Sequence, residues 1–494
     1  MISYSRFQFQ ETSYYPFAEP FSQDYRVYIN GEEAAVYTCR ISEFPFNTIW
    51  PGYPAHQRPV DQTVPASFVN IVADEEVTVE VEPLIPCPKP LLKPYARGVV
   101  PVWKNNRYRM VLREDGGYVF MCADHRRCLY LFKTTPLTCE DPGSVTHYFG
   151  PGIHFPGKIV LQDEDRVYID KDALVYGCIF AKGAKNIRIF GNGILDDSME
   201  ERVGNYCYEP YTNGNVKFYD CENLRIEGVG MKNSAIWCVN LFHCRNVLLD
   251  GIKVFGQWRY NTDGVDVVNS QYIQIRNSFI HSFDDTITIK GIDAYKETDN
   301  CHIFVENCVL WCDWGKTCEI GLETCCREYY DISFEKCCIL RAGNTALDIQ
   351  NGDCAEVHDI RFTDIDVEYN AFETPPVSQR TEEQIYDRGR EFFIPALVSV
   401  RNYPFKTPGS IQRWGLYVGE LPDLEGIRQA CVHDIVIDQV NVWYDDALPR
   451  NEDGTYQVFA LMVIDREETE YENISIKNVS VNGTPVSVPI FDSV

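Results

Sequence analysis

From about residue 136 the chain repeats a short alternation of apolar and polar positions. It appears in ENLRIEGVGMKNS from Glu222, RNVLLDGIKVFG from Arg245, QYIQIRNSFIHSF from Gln271, CHIFVENCVLW from Cys301, YDISFEKCCILR from Tyr330 and VHDIRFTDIDVEY from Val357. VHDIVIDQVNVWY from Val432 and YENISIKNVSVNG from Tyr471 continue the series. A period of two places alternate side chains on one face, so each unit reads as a turn, a strand, a second turn and a second strand. Successive unit starts between Arg245 and Val357 lie 26 to 30 residues apart. Strands recurring at that period predict a β-solenoid, in which a coil buries its inner face only by stacking on its neighbours. Asn and Asp before the strands suit corners that need left-handed backbone or side-chain-to-backbone bonds. A propeller fits less well, because the units are too short for four strands and lack a blade signature.

The solenoid is predicted to begin within residues 148–198, where glycines punctuate short strands. An interruption over about 370–430 contains Pro375–Pro376 and the stretch TEEQIYDRGREFF, which reads as a helix with Thr381 as its N-cap. Insertions in solenoids emerge on one side and often wall a cleft. Residues 1–135 differ: Pro-rich punctuation separates strands such as DYRVYING, EEVTVEVEP and CLYLFKTTP. That spacing predicts a β-sandwich, expected to cap the open end of the solenoid. The predicted chain is therefore all-β, with a sandwich over 1–135 and a parallel β-helix over 136–494.

Charge and composition narrow the function. The net charge of −27 lacks the basic footprint that phosphate binding needs, which argues against a nucleic-acid partner. It also disfavours, more weakly, a polyanionic substrate. No run reaches the length of a membrane span, and the N-terminal MISYSRFQFQETSYY lacks an apolar signal core, so a cytoplasmic protein is expected. The 20 cysteines include adjacent pairs (Cys325–Cys326 and Cys337–Cys338), and Cys308, Cys312 and Cys318 lack paired zinc-site spacing. They read as reduced, small core hydrophobes.

The candidate chemistry lies in YNTDGVDV and SFDDTITIKG. Asp263 and the first member of the pair Asp284–Asp285 are 21 residues apart, about one coil, so the three carboxylates are expected on one face. Crowded carboxylates repel, and at least one should hold its proton near neutral pH. A protonated acid beside ionised neighbours can split a glycosidic bond. Each aspartate alone could be an ordinary turn residue; the three at one-coil spacing point to catalysis. Asn261 is placed either to orient Asp263 or to fix the corner. Lys290 shares parity with Asp284 and is expected either to bind a sugar hydroxyl or to pair with the acids and damp their field, pairing being favoured.

NTDG followed one coil later by DD resembles the polygalacturonase family of glycoside hydrolases. The preceding sandwich and the PGIHFPGKIVL…GNGILD entry are similar to the related dextranase and isopullulanase family. The resemblance implies a right-handed β-helix, inversion of configuration, Asp284 as general acid, and Asp263 with Asp285 holding and activating water. It implies no cofactor and no metal. The chain lacks the Gly-His-Gly and Arg-x-Lys segments by which polygalacturonases grip a uronate. The corresponding coils supply Glu319, Glu323, Asp348 and Gln350, which suits a neutral, α-glucan-like poly- or oligosaccharide. Trp237, Trp258, Trp311 and Trp314 are candidate stacking platforms, Trp258 foremost. Competing expectations are a pectin hydrolase, a β-helix lyase with a Ca²⁺-binding acid cluster, a non-catalytic carbohydrate-binding solenoid, and an exo-acting hydrolase of oligosaccharides.

Overall fold

A computed structural model describes residues 2–9, 20–48, 60–202, 213–353, 355–379, 381–384, 386, 392–402, 431–464 and 472–492. Two sheets form the first part. One orders Ile2–Tyr4, Thr63–Ala73, Leu129–Thr134, Gly116–Met121 and Leu91–Lys93, with Tyr37–Ser42 also paired to Thr63–Ala73. The other orders Glu32–Ala34, Tyr25–Ile29, Val77–Pro83, Arg107–Leu112 and Val102–Lys104. Alternate residues of the two, Val27, Val79 and Val81 against Ile71, Phe120 and Leu131, meet in one apolar core. This is the predicted β-sandwich.

A 29-stranded sheet follows, from His147–Phe149 to Ile490–Asp492. In its middle coils each strand pairs in parallel with the strand three further on. Val239–Phe242 pairs with Val265–Val268, and Val265–Val268 with Ile287–Gly291. The chain thus winds as a right-handed parallel β-helix with three strands per coil. The sequence units contained only two of these three. The third is the short strand, such as Val265–Val268, that follows each polar segment.

Stacking of like positions builds the core. Val265, Ile287, Cys318, Leu347, Val398 and Ala460 form one column running through the interior. The described cysteines are free, and several, including Cys221, Cys244, Cys308 and Cys337, fill this core as small apolar groups. The corners carry the predicted polar residues. Asn223, Asn246, Asn277 and Asn307 have φ between 53° and 58°, and amides one coil apart bond one another, as Asn246 to Asn223 at 2.7 Å and Asn307 to Asn277 at 2.9 Å. Asn is the side chain that tolerates left-handed backbone and still offers a ladder of hydrogen bonds.

Four expectations need correction. The solenoid sheet begins at His147, next to the expected start within 148–198, while the domain bound of 136 falls in a connection, residues 135–146, containing the short turn Pro142–Ser144. Within 370–430, Ala396–Asn402 is itself a coil strand, paired with Thr345–Asn351 and Ala460–Ile464, while Val377–Gln379 pairs with Phe46–Thr48 of the sandwich region. Residues 381–384 make a bend and turn rather than the first turn of a helix; most of 385–391 and all of 403–430 lie outside the described residues. The sandwich does not simply cap the end of the helix. Phe68, Tyr130 and Phe132 pack on Ile194, Phe255, Phe279, Val309 and Leu340, which belong to successive coils, so it covers a flank. A buried ion pair between Lys93 and Glu368, with Lys93 also donating to Asn370, extends the same contact. Among the described residues no helix is long and apolar enough to cross a membrane.

Candidate active site

The acids gather where the short strands Val265–Val268 and Ile287–Gly291 begin. Val265 pairs with Ile287, and the Gly264 N–H donates to the Asp285 carbonyl at 2.8 Å. The register is therefore 22 residues, and Asp285, not Asp284, stacks on Asp263. Residues 283–286 bend rather than extend, so strand parity does not run through the pair. That is why Lys290 reaches Asp285 and not Asp284, against the sequence expectation.

Lys290 organises one side of the cluster. Its ammonium stands 3.2 Å from Asp285 Oδ2, 3.7 Å from Asp263 Oδ2, 3.8 Å from Glu323 Oε2 and 4.0 Å from Asp266 Oδ1. It also lies 5.1 Å over the Trp237 ring. Lys316 holds the other side. Its backbone N–H donates to Asp285 Oδ1 at 3.0 Å, and its ammonium is 3.2 Å from Glu319 Oε1 and 3.9 Å from Asp285 Oδ1. Gln350 donates to Glu319 Oε1 at 2.7 Å, and Asp348 lies one coil beyond Glu319 in register.

Asp284 sits differently. It accepts the Asp285 N–H at 3.1 Å and a long contact from Asn261 Nδ2 at 3.4 Å. Asn261 has φ of 48°, so it turns the corner and also reaches an acid, and that acid is Asp284 rather than Asp263. Arg202 holds the Asn261 amide oxygen at 2.9 Å. Gly315 passes so close to the pair that a Cβ there would lie 2.4 Å from Asp285 Oδ1 and 2.6 Å from Asp284 Oδ1.

These settings separate the two neighbours electrostatically. Burial, reinforced by the charge of Asp285, pushes Asp284 up to about 7. Burial acts to raise Asp285 as well, but Lys316 and Lys290 outweigh it and hold that carboxyl far below its usual range. Burial and then the charge of Asp266 raise Asp263. Asp266 is fully enclosed, and both of its oxygens lack a hydrogen-bond partner among the described residues. It too is raised, by burial first.

The structure therefore brings together Asp263, Asp284, Asp285, Asn261, Lys290, Trp237, Glu319, Glu323, Asp348 and Gln350. Trp258 is not among them: it is 2% exposed, with its indole N–H 3.4 Å from Asn233 Oδ1 and the Arg259 guanidinium 5.5 Å from its ring. Trp311 is equally buried and stacks on His281 at 4.1 Å. Trp314, partly exposed and hydrogen-bonded to the Phe283 carbonyl next to the acid pair, is the tryptophan with a face to offer. Sequence reasoning missed Asp266, Lys316, Arg202 and Gly315. The coil that supplies Glu319 and Glu323 lacks the basic segments of polygalacturonases, yet its turn delivers Lys316 to Asp285. The one available signal was proximity of that turn to the DD pair across one coil.

Residues 156–375, somewhat less than half of the chain, match the family described as Glycosyl hydrolases family 28. Polygalacturonase-2 of Solanum lycopersicum is 36% identical over 75 residues, covering 15% of this chain and 16% of that protein. An exopolygalacturonase of Cochliobolus carbonum is 27% identical over 137 residues, covering 26% and 29% respectively. The chain thus spans less than a third of the length of these curated relatives. Dex49A from Penicillium minioluteum shares the fold, with a TM-score of 0.54 at 12% identity over 96% of this chain and 98% of that one. The part of this β-helix that carries Asp263, Asp284 and Asp285 is the part that aligns with the family 28 glycosyl hydrolases.

Proposed function

We propose that the protein hydrolyses an O-glycosidic bond of a polysaccharide or oligosaccharide with inversion of configuration. The observation that carries this reading is the opposite setting of two adjacent carboxyls: Asp284 keeps a proton near neutral pH while Asp285 stays ionised. Asp284 donates its proton to the leaving glycosidic oxygen. Asp285 and Asp263 hold a water, whose oxygen attacks the anomeric carbon from the opposite face as the carbon–oxygen bond breaks. The water's proton passes to one of these carboxylates. Lys290, 3.7 Å from Asp263 Oδ2, favours the ionised form of Asp263 against the burial and the charge of Asp266 that raise it. The alignment with family 28 over 156–375 supports the same chemistry.

For the sugar, the named relatives are polygalacturonases and an exopolygalacturonase, and they favour a galacturonan. They give no support to the neutral, α-glucan-like substrate expected from the sequence, nor does the shared fold with Dex49A assign one. One observation favours the neutral reading. Lys290 and Lys316 already stand among Asp263, Asp266, Asp285, Glu319 and Glu323, so the acids near them outnumber the two lysines. A uronate carboxylate entering there would find both lysines already engaged by acids.

A panel containing de-esterified polygalacturonan, dextran and oligosaccharides of both, with products separated by chromatography and the fresh anomeric proton followed by NMR, tests all of this. Inverted product from the wild type, with Asp284→Asn slowed about 10²- to 10⁴-fold, is the expected result. Equal cleavage by both proteins, or retained configuration, would overturn the mechanism. An unsaturated product absorbing in the ultraviolet would instead indicate elimination.

A further inference from the structure

Upstream of the acid cluster, Cys178, Asp197 and Glu200 bring one thiol sulfur and two carboxylate oxygens within 4.8 Å of one another. Cys178 lies on Ala173–Lys182 next to Ile179, which faces the helix interior, so its own side chain points outward; it is nevertheless fully buried. Asp197 follows the strand Ile194–Asp196 and has no exposed surface. Its Oδ2 accepts the Ala235 N–H at 2.9 Å, while its buried Oδ1 has no hydrogen-bond partner among the described residues. An unsatisfied carboxylate oxygen sealed from water is costly unless something occupies its lone pairs.

The surroundings fix this group from outside. The Glu200 N–H donates to the Asp197 carbonyl at 3.0 Å, closing a turn that folds Glu200 back toward Cys178. Arg259 holds the carbonyls of Glu200 and Ser198 at 2.9 and 3.3 Å. Asn213 Nδ2 donates to Glu200 Oε2 at 2.9 Å, leaving the other carboxylate oxygen for a further partner. Among the described residues, neither Asp197 nor Glu200 forms a side-chain ion pair with a lysine or arginine.

We infer that Cys178, Asp197 and Glu200 form a binding site for a thiophilic divalent cation of the zinc type, which ties the turn after Ile194–Asp196 to Ala173–Lys182. The donor set decides the class. Carboxylates alone would suit calcium or magnesium, whereas one thiolate with two carboxylates suits zinc or cadmium. Tetrahedral ligands on bonds of about 2.0–2.3 Å stand roughly 3.5 Å apart, so closure needs the set to contract by about 1 Å. Glu200, the partly exposed member, is the side chain with room to move. The site is separate from the proposed hydrolytic reaction, and its test does not depend on activity.

The full-length protein, stripped with a chelator and returned to buffer, would be titrated with Zn²⁺ against a chromogenic chelator and with Cd²⁺ by ultraviolet absorption. The expected result is one tight Zn²⁺ per chain, together with a thiolate-to-cadmium absorption band. Asp197→Asn should weaken Zn²⁺ about tenfold or more, and Cys178→Ser should remove the band. Equal zinc affinity in wild type and Asp197→Asn, a band of equal strength in Cys178→Ser, or no zinc retained by the wild type would each overturn the proposal. If circular dichroism shows that the buried variants do not fold, Glu200→Gln decides. It should keep the cadmium band while losing zinc affinity, and unchanged affinity would overturn the site.

Discussion

The Lys316 backbone N–H donates to Asp285 Oδ1 at 3.0 Å, and the ammonium of the same residue stands 3.9 Å from that atom. One turn residue thus gives Asp285 both a hydrogen bond and a counter-charge, the two influences that keep a buried carboxylate ionised. Lys316→Met keeps the first and removes the second. The acidic limb of kcat/KM against pH should move upward by about one unit or more, with kcat reduced about tenfold or more. Removing one partner of a buried pair should also cost about 3–5 kcal/mol of stability, read by denaturant unfolding. An unmoved acidic limb would show that Asp285 does not depend on Lys316.

The proton on Asp284 sets the other limb. Its folded value of about 7 lies above the ordinary aspartate value of about 4. Between those values the folded state binds more protons than the unfolded one. Its contribution to stability is therefore complete below about pH 4 and is lost as pH rises through about 7. As general acid, the same group should make kcat/KM decline above about pH 7. In Asp284→Asn the residual activity should lack that alkaline limb; an identical limb in the variant would assign it to another residue.

Gly315→Ala tests the packing of the pair. The added methyl would meet both carboxylates at 2.4 and 2.6 Å, and the Asp285 backbone nitrogen at 2.6 Å. Backbone on one side and two enclosed acids on the other leave little room to relax. A loss of about 1–3 kcal/mol in stability is expected, together with a fall in kcat of about 10²-fold from displaced acids. Normal kcat would mean that the acids move without consequence.

Two tryptophans should behave oppositely. Trp258→Ala removes a buried ring and should cost about 3–5 kcal/mol in unfolding experiments. Trp314 is partly exposed beside the acid pair, so Trp314→Ala should raise KM several-fold with a smaller loss of stability. A stability loss for Trp314→Ala as large as that for Trp258→Ala, with KM unchanged, would make it a packing residue as well.

The flank contact offers a test away from the chemistry. A Cβ on Gly117 would come within 2.2 Å of the Phe279 ring, where the sandwich seats against the β-helix. Gly117→Ala should destabilise the chain by about 1–3 kcal/mol. The additional variant Phe279→Leu should recover part of that loss if the clash is its cause, and no recovery would place the strain elsewhere.

Much of the fold was legible because it depends on local rules. Alternation marked the longer strands, the period marked the coils, and Asn223, Asn246 and their successors marked the corners, since few side chains tolerate that backbone conformation. The short strands Val265–Val268 and Ile287–Gly291 alternate beside the aspartates, but four or five residues carry too little pattern to show that every coil has such a third strand. The three aspartates stood out by spacing alone, but their order in space did not. A bend at 283–286 breaks strand parity, and the true register sets Asp285 on Asp263.

The sequence by itself determined an all-β solenoid behind a sandwich, and a carboxylate cluster at one-coil spacing, because repetition and parity are properties of the chain. Only the tertiary structure decided which acid keeps its proton. That depends on Lys316 and Asp266 arriving from neighbouring coils, on the bend that turns Asp285 toward Lys290, and on burial that no single segment creates. It also decided that Trp258 is packing, that Ala396–Asn402 belongs to the helix, and that Cys178 meets Asp197 and Glu200. Through-space electrostatics and packing act between residues whose distance along the chain says nothing of their distance in the fold.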